Sequence, residues 1–519
     1  MNKPGTPEAL AAPAAWPRWA PPLLALGAGA ASVLAFAPFG LWPLQIATLA
    51  LLFWLALDAR GVARAALCGW LYGFGCAAAG IHWLYVSLHD FGGMPAPMAV
   101  TAVLLLALYL GAFAALALGT ALWLRQRWQA SRAVTALLLL PALWALAEWL
   151  RGWVFTGFPW LASGYAHSAG PLAGYAPLVG VYGLGLIAAA IAGALVLLPA
   201  RKLPAAVAVA ILAAGFGLRF LPWTAPHGQP LTVRLLQGAV PQEMKFDQAQ
   251  LNASLALYRD MIEAGPADLV ATPETAIPVL LQQVAPAYLQ GLRAFAERSG
   301  SHLLLGAPVG DSAHGYTNSA LGFAPQAEVA PYRYDKHHLV PFGEFIPYGF
   351  RWFVDMMHIP LGDFARGAAL QPAFAVRDQA VLPNICYEDL FGEEIAAQLA
   401  AGHAAGSAAT MLLNMSNIAW FGDTIALPQH LQISQMRALE TGRPMLRATN
   451  TGATAVIGPD GRVAQQLPPY ARGTLAATVQ GMAGWTPYML FGNRLLLAAI
   501  VLALGAAWLA TRRSGRRTA

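Results

Sequence analysis

The sequence predicts a multi-pass α-helical membrane bundle of eight helices, with an α/β domain inserted before the last of them. Three observations predict it. Of the 519 residues, 57% are hydrophobic and only 11% are charged, where a soluble globular protein carries about 25% charged residues. The charges are also partitioned: residues 1–223 hold 11 Lys/Arg and 4 Asp/Glu, whereas residues 224–519 hold 20 and 21. Finally, apolar stretches of about 20 residues, the length that crosses a hydrocarbon core of about 30 Å, recur seven times in the first half and once near the C-terminus. The formal net charge of +6 does not signal nucleic acid. Residues 224–493 contain 15 basic and 21 acidic groups, so the positive excess lies in or beside the apolar segments, as in a membrane protein.

The expected N-terminal membrane domain, residues 1–223, contains segments at 21–39, 41–57, 65–88, 95–124, 133–153, 174–200 and 203–223. Pro38, Gly40 and Pro43 separate the first two, where a tight helical hairpin would turn. The first segment is not a cleavable signal peptide, because a second apolar run follows at once without a convincing cleavage site. The eighth segment, 494–510, lies in a C-terminal unit, 494–519, that ends in a basic tail. Lys and Arg stay on the cytoplasmic side of short loops. Every second loop is basic: Lys3 and Arg18, then Arg60 and Arg64, then Arg125, Arg127 and Arg132, then Arg201 and Lys202, and last the tail with Arg512, Arg513, Arg516 and Arg517. This pattern places both termini in the cytoplasm and residues 224–493 on the opposite side, in a bacterial envelope the periplasm. Glu148 and Arg151 fall near the outer end of the fifth segment. Charges there are costly in lipid, so they read either as a structural pair or as groups with an interfacial role.

In the 224–493 domain, apolar runs of strand length (233–238, 268–272, 303–307 and 411–414) alternate with helix-like stretches at 246–264, 284–299 and 425–441. That alternation indicates one layered α/β domain. The three cysteines, Cys68, Cys76 and Cys386, are too few and too scattered for a disulfide framework or a thiolate metal site. Cys68 and Cys76 lie eight residues apart in a membrane segment, where they read as packing. Cys386 follows a short apolar run in Leu382-Pro-Asn-Ile-Cys-Tyr-Glu-Asp and is either a small core residue or a nucleophile. A thiol near its free pKa of about 8.5 is mostly protonated at neutral pH, so a nucleophilic Cys needs a base, a nearby cation or both. Glu274, in Ala-Thr-Pro-Glu-Thr just past a strand, and Lys336, in Tyr-Asp-Lys-His-His, supply those two types of group.

The order Glu, Lys, Cys in Pro-Glu-Thr, Asp-Lys-His-His-Leu-Val-Pro-Phe-Gly-Glu and Ile-Cys-Tyr-Glu resembles the triad of the nitrilase superfamily. With seven helices before the domain and one after it, the chain is similar to the apolipoprotein N-acyltransferases of Gram-negative bacteria, the membrane branch of that superfamily. The similarity runs through His89-Asp-Phe-Gly-Gly, Glu148-Trp-Leu-Arg-Gly-Trp, Gly157-Phe-Pro-Trp, Gln237-Gly, Asn417-Ile-Ala-Trp-Phe-Gly-Asp, Arg437-Ala-Leu-Glu-Thr-Gly-Arg-Pro, Arg447-Ala-Thr-Asn-Thr-Gly and Thr486-Pro-Tyr. The chain departs from the family pattern where Ile418 stands in place of an acidic residue, and where Phe246 rather than Trp follows Lys245.

The resemblance implies an α-β-β-α sandwich. It also implies transfer of a fatty acyl chain from a phospholipid donor to the N-terminal amine of a diacylglyceryl-apolipoprotein acceptor, with neither metal nor other cofactor. In that scheme Glu274 is the general base, Lys336 stabilises the oxyanion and Cys386 carries the acyl group. Glu344 and Glu388 orient Lys336 or the amine, and Tyr387 shapes the pocket. Phe246 and Trp420 offer aromatic surface to substrate. Residues 350–364, with Trp352, Phe353, Met356 and Met357 among eight large apolar side chains, read as a lid dipping into the bilayer interface or as packing against the domain core. The competing reading is a membrane-tethered nitrilase or amidase that hydrolyses a small amide, for which the membrane part would be a disposable anchor.

Overall fold

The computed structural model describes residues 17–198, 202–241, 248–311, 315–349, 351 and 363–515. Among the described residues, the longer helices before the inserted domain are α1 (Ala20–Ser32), α2 (Trp42–Leu57), α3 (Val62–Gly80), α4 (Ala96–Trp128), α5 (Leu140–Arg151), α6 (Ala176–Leu195) and α7 (Leu203–Leu218). Prolines sit in the first turn of α1, α2, α4 and α7, where the missing N–H costs no intrahelical bond. The α1, α3 and α4 backbones approach closely because the crossing points are glycine. A Cβ on Gly29 would lie 2.0 Å from the Tyr72 carbonyl oxygen, and one on Gly111 2.7 Å from that of Trp70. By length and composition, Val62–Gly80, Ala96–Trp128, Arg132–Arg151, Pro171–Leu195 and Arg494–Arg512 can each cross a membrane. The first, second and seventh expected segments form the shorter apolar helices Ala20–Ala35, Trp42–Leu57 and Leu203–Leu218. The 16 residues of α2 span about 24 Å at 1.5 Å per residue.

The domain then runs β1 (Thr224–Pro226), β2 (Leu231–Gln237), α8 (Gln248–Glu263), β3 (Leu269–Ala271), α9 (Pro286–Ser299), β4 (His302–Asp311), β5 (Gly315–Phe323), β6 (Tyr332–Asp335), β7 (Phe374–Val376), β8 (Gln379–Ile385), α10 (Gly392–Ala404), β9 (Met411–Ser416), α11 (Ala426–Thr441), β10 (Met445–Thr449), β11 (Ala455–Ile457), β12 (Val463–Gln466), β13 (Gly473–Val479) and β14 (Met482–Gly484). The short α12 (Pro487–Phe491) leads into α13 (Arg494–Gly515). Two six-stranded sheets, ordered β13-β2-β3-β4-β5-β6 and β12-β11-β10-β9-β8-β7, stack face to face, while β1 and β14 pair separately.

Alternation assigns each strand residue to a layer. Val233, Leu235, Met411, Leu413 and Met415 fill the space between the sheets. Leu236, Val270, Leu303 and Leu305 turn outward onto α8 and α9, and Leu382, Leu412 and Met445 turn onto α10 and α11. The result is the α-β-β-α sandwich that the resemblance implied.

The sandwich and the bundle share one continuous apolar core, in which Leu390, Phe391, Ile418, Leu427, Ile433 and Met436 join Leu49, Trp144, Tyr165 and Leu184. Fourteen of the sixteen residues of α11 are buried. Ile418, in the 3-10 turn Ile418–Phe421 that precedes α11, is buried as well, so at this position the chain presents packing surface and no charge.

Candidate active site

Each of the three expected catalytic residues leaves the C-terminal end of a strand. Glu274 follows β3 in a loop pressed onto β4, where Gly306 makes room: a Cβ there would lie 2.3 Å from the Pro273 carbonyl oxygen. The Gly306 N–H donates to Thr272 Oγ1 at 3.0 Å, and the Ile277 N–H donates to the Gly306 carbonyl at 3.0 Å. Lys336 extends β6, its N–H donating to the Asn318 carbonyl on β5 at 2.8 Å. Cys386 ends β8 and opens the 3-10 turn Cys386–Leu390 with φ at +53°. A non-glycine residue held there stores strain, and the bend projects the side chain off the sheet edge.

The structure brings these side chains together with Glu344. Lys336 Nζ lies 3.2 Å from Glu274 Oε1 and 2.9 Å from Glu344 Oε1. All three groups are buried, Lys336 at 1% exposure. The Asn417 N–H donates to Glu274 Oε2 at 2.8 Å, and the Val340 N–H donates to Glu344 Oε2 at 2.8 Å. Burial alone would lower the Lys336 ammonium, but the two carboxylates outweigh it and hold the group well above its ordinary value. For Cys386, burial and then the Glu274 charge push the thiol up to about 12, while Lys336 and the Ser416 hydroxyl pull the other way. Resting Cys386 is therefore a neutral thiol near a fixed cation.

Glu388 and Tyr387 do other work. Glu388 Oε2 accepts from the Ile385 N–H at 2.7 Å and from the Tyr334 hydroxyl at 3.0 Å, and its Oε1 accepts from the His337 and His338 N–H groups at 2.7 and 3.2 Å. Its contacts bind the Cys386 turn to the backbone that carries Lys336. They do not engage the Lys336 ammonium. The Tyr387 hydroxyl donates to the carbonyl of Gly157 in the membrane bundle at 2.8 Å. Trp420 meets Phe91 edge to face, with ring centroids 5.9 Å apart, and so ties the domain to the His89-Asp-Phe-Gly-Gly stretch. Phe246, Trp352, Phe353, Met356 and Met357 lie outside the described residues.

Glu148 and Arg151 form a loose pair, 4.0 Å apart, but each has a firmer partner. Glu148 Oε1 accepts from the Ser163 N–H and hydroxyl at 2.8 and 2.6 Å, and Arg151 donates to the Trp160 carbonyl at 2.9 Å. Behind Cys386 lies a buried polar network whose members are far apart in sequence. Arg447 meets Asp389 at 3.2 Å, His430 Nδ1 at 3.0 Å and the Ser434 hydroxyl, while Arg437 pairs with Glu440 at 3.0 Å. Burial and the neighbouring Arg447 hold the His430 ring well below its ordinary value, hence neutral. Sequence reasoning passed over Asn318 and singled out Asn417 only as part of a family-like stretch; both contact Glu274 across strands and share no short motif with it. Among the described residues, no three His, Cys, Asp or Glu side chains are grouped so as to hold a metal ion.

The sandwich carries a neutral thiol on a strand-end bend near a buried Glu and a Lys clamped between carboxylates, and residues 232–488, which contain all of them, match the family described as carbon-nitrogen hydrolase. Residues 28–194 match the apolipoprotein N-acyltransferase N-terminal domain. The chain is 54% identical over 517 residues to an apolipoprotein N-acyltransferase of Ralstonia nicotianae, covering 98% of this chain and 97% of that one. It is 46% identical to one from Nitrosomonas europaea, covering 96% of this chain and 98% of that one, and 44% identical to one from Bordetella bronchiseptica with the same coverage. The chain belongs to the apolipoprotein N-acyltransferase family.

Proposed function

We propose that this membrane protein transfers a fatty acyl chain from a phospholipid to the N-terminal α-amine of diacylglyceryl-cysteine apolipoproteins through a thioester on Cys386, the last step of bacterial lipoprotein maturation. The observation that carries the reading is the seating of a Glu-Lys-Cys site directly on a membrane bundle. Tyr387, next to the nucleophile, bonds to Gly157, and His338, two residues from Lys336, has its Nε2 2.9 Å from the Thr156 carbonyl oxygen. A detachable anchor would leave the site free of the bundle, so the tethered amidase has the weaker support.

Glu274 takes the proton of Cys386 as the thiolate adds to the donor's ester carbonyl. Lys336, aided by a backbone N–H near Cys386, stabilises the oxyanion. Collapse expels the lysophospholipid alkoxide, which Glu274 protonates, and leaves the acyl group as a thioester. The same carboxylate then deprotonates the incoming amine, which attacks the thioester, forms the amide and returns the thiol. The acyl group arrives already activated as an ester, so this ping-pong sequence consumes no ATP. Glu344 keeps Lys336 in place, and Glu388 keeps the Cys386 turn in register with it. Incubation with phospholipid should give an acyl-sized mass adduct on Cys386, absent in Cys386→Ala, while Cys68→Ala and Cys76→Ala keep nearly full turnover. Full activity in Cys386→Ala would end the thioester mechanism.

The donor's ester lies at headgroup level, so its chain must reach Cys386 along an apolar path. In this proposal Trp352, Phe353, Met356 and Met357 of the 350–364 stretch are the residues that meet the donor chain, being side chain types that suit the bilayer interface and irregular chains. Exchanging Trp352 and Phe353 together for Ser should slow thioester formation more than amine transfer. Wild-type rates for both half-reactions in a bilayer would remove the segment from the donor path. The basic loops support an inner-membrane topology with both termini cytoplasmic and the catalytic domain periplasmic. Consistent with one shared face, Arg132 pairs with Asp58 at 2.5 Å, Arg125 donates to the Leu57 carbonyl at 2.9 Å, and Arg64 donates to the Arg18 carbonyl.

A further inference from the structure

We infer that Asn318 is a positioning residue that holds the two active-site carboxylates in place and aimed at Lys336, and that its free carbonyl oxygen is a docking point for the incoming amine. The inference rests on the proposed Glu-Lys-Cys mechanism. Asn318 lies on β5 and is 3% exposed. Its Nδ2 donates to Glu274 Oε1 at 2.7 Å and to Glu344 Oε1 at 2.8 Å. One amide thus spends both its N–H bonds on the same two oxygens that flank the Lys336 ammonium. The amide orientation is dictated by its neighbours, since the opposite one would set a carbonyl oxygen against two carboxylates.

Charge arithmetic explains why the site needs this group. Two carboxylates at one ammonium leave a net negative charge, and like charges in a buried site drive one of them to take up a proton. A protonated Glu274 cannot accept the thiol proton. Both N–H bonds of Asn318 favour the ionised forms without adding positive charge, so they keep Glu274 basic and leave Lys336 its own pull on the oxyanion. Asn318 Oδ1, meanwhile, is buried with no hydrogen-bond partner among the described residues. Buried acceptors are seldom left empty. An acceptor beside the general base would receive one N–H of a primary amine while Glu274 takes another, which orients the nitrogen lone pair at the thioester.

The test uses the full-length protein in phospholipid vesicles, with thioester formation and transfer to a diacylglyceryl peptide amine measured separately across pH 5–9, and a thermal melt of each variant. Asn318→Ala should lower thioester formation about tenfold or more, move its acidic limb up by about one pH unit, and raise the peptide KM. Asn318→Asp is nearly isosteric but adds a third carboxylate, so it should be at least as impaired at pH 8 and recover toward pH 5, where a protonated Asp can donate. A purely structural side chain would make Asp the milder substitution with an unshifted profile, and that result overturns the inference. Loss of fold in both variants would overturn it as well. An active Cys386→Ala in the same assay would instead refute the underlying mechanism, whatever Asn318 does.

Discussion

Cys386 carries the opposite bias from cysteines activated by a lowered pKa: burial and the Glu274 charge push its thiol up to about 12. In the proposed mechanism, reactivity then comes from proton transfer to Glu274 in step with attack on the ester, since a standing thiolate is nearly absent at neutral pH. Alkylation of Cys386 by iodoacetamide in the substrate-free protein follows the thiolate fraction, and a raised pKa places that fraction on the steep part of its curve. The rate should therefore climb about tenfold per pH unit from pH 7 to 10 without a plateau. Lys336→Met removes the cation that opposes the shift and should lower the rate throughout. Levelling off near pH 8.5 would mean an ordinary exposed thiol. The candidate nucleophile was legible in the sequence because thiols are rare in this chain and this one lies outside the membrane segments. Its protonation state was not, because that depends on burial and on charges brought in from residues 274 and 336.

Helix α11 decides how the catalytic domain is held. Its Glu440 accepts from the Val181 N–H at 2.8 Å, at the point where Gly180, with φ at +65°, interrupts α6. Burial pushes the Glu440 carboxyl up to about 7, against the pull of Arg437. Breaking such a buried pair from one side costs about 3–5 kcal/mol, because the partner charge is left unpaired. Glu440→Ala should thus lower the melting temperature in detergent and weaken acyl transfer with the triad intact; an unchanged melting curve would show that α11 docks through its apolar face alone. The 425–441 stretch was legible as a helix from its composition. Its burial on nearly every side was not, because His430, Arg437 and Glu440 look solvent-facing until Arg447, Val181 and Asp389 are placed around them.

Across the whole molecule, the bundle and the sandwich share one apolar core, and the orientation proposed from the loop charges can be tested by labelling. In vesicles or cells, a cysteine at exposed Gln326 should react with a membrane-impermeant thiol reagent from the periplasmic side, and one at exposed Gln126 only after the inner membrane is breached. Reversed labelling would overturn the topology and with it the lipoprotein assignment. The sequence by itself determined the membrane character and the α/β nature of the insert, and offered Glu274, Lys336 and Cys386 as candidates, because hydropathy, strand-length runs and rare reactive side chains are properties of single segments. Only the tertiary structure decided that Asn318 bridges Glu274 and Glu344, that Glu388 braces the Cys386 turn and that Tyr387 reaches Gly157. The Asn318 and Tyr387 contacts join residues 26 to 230 positions apart. They exist because two sheets bring strand ends to one edge and the bundle closes over it.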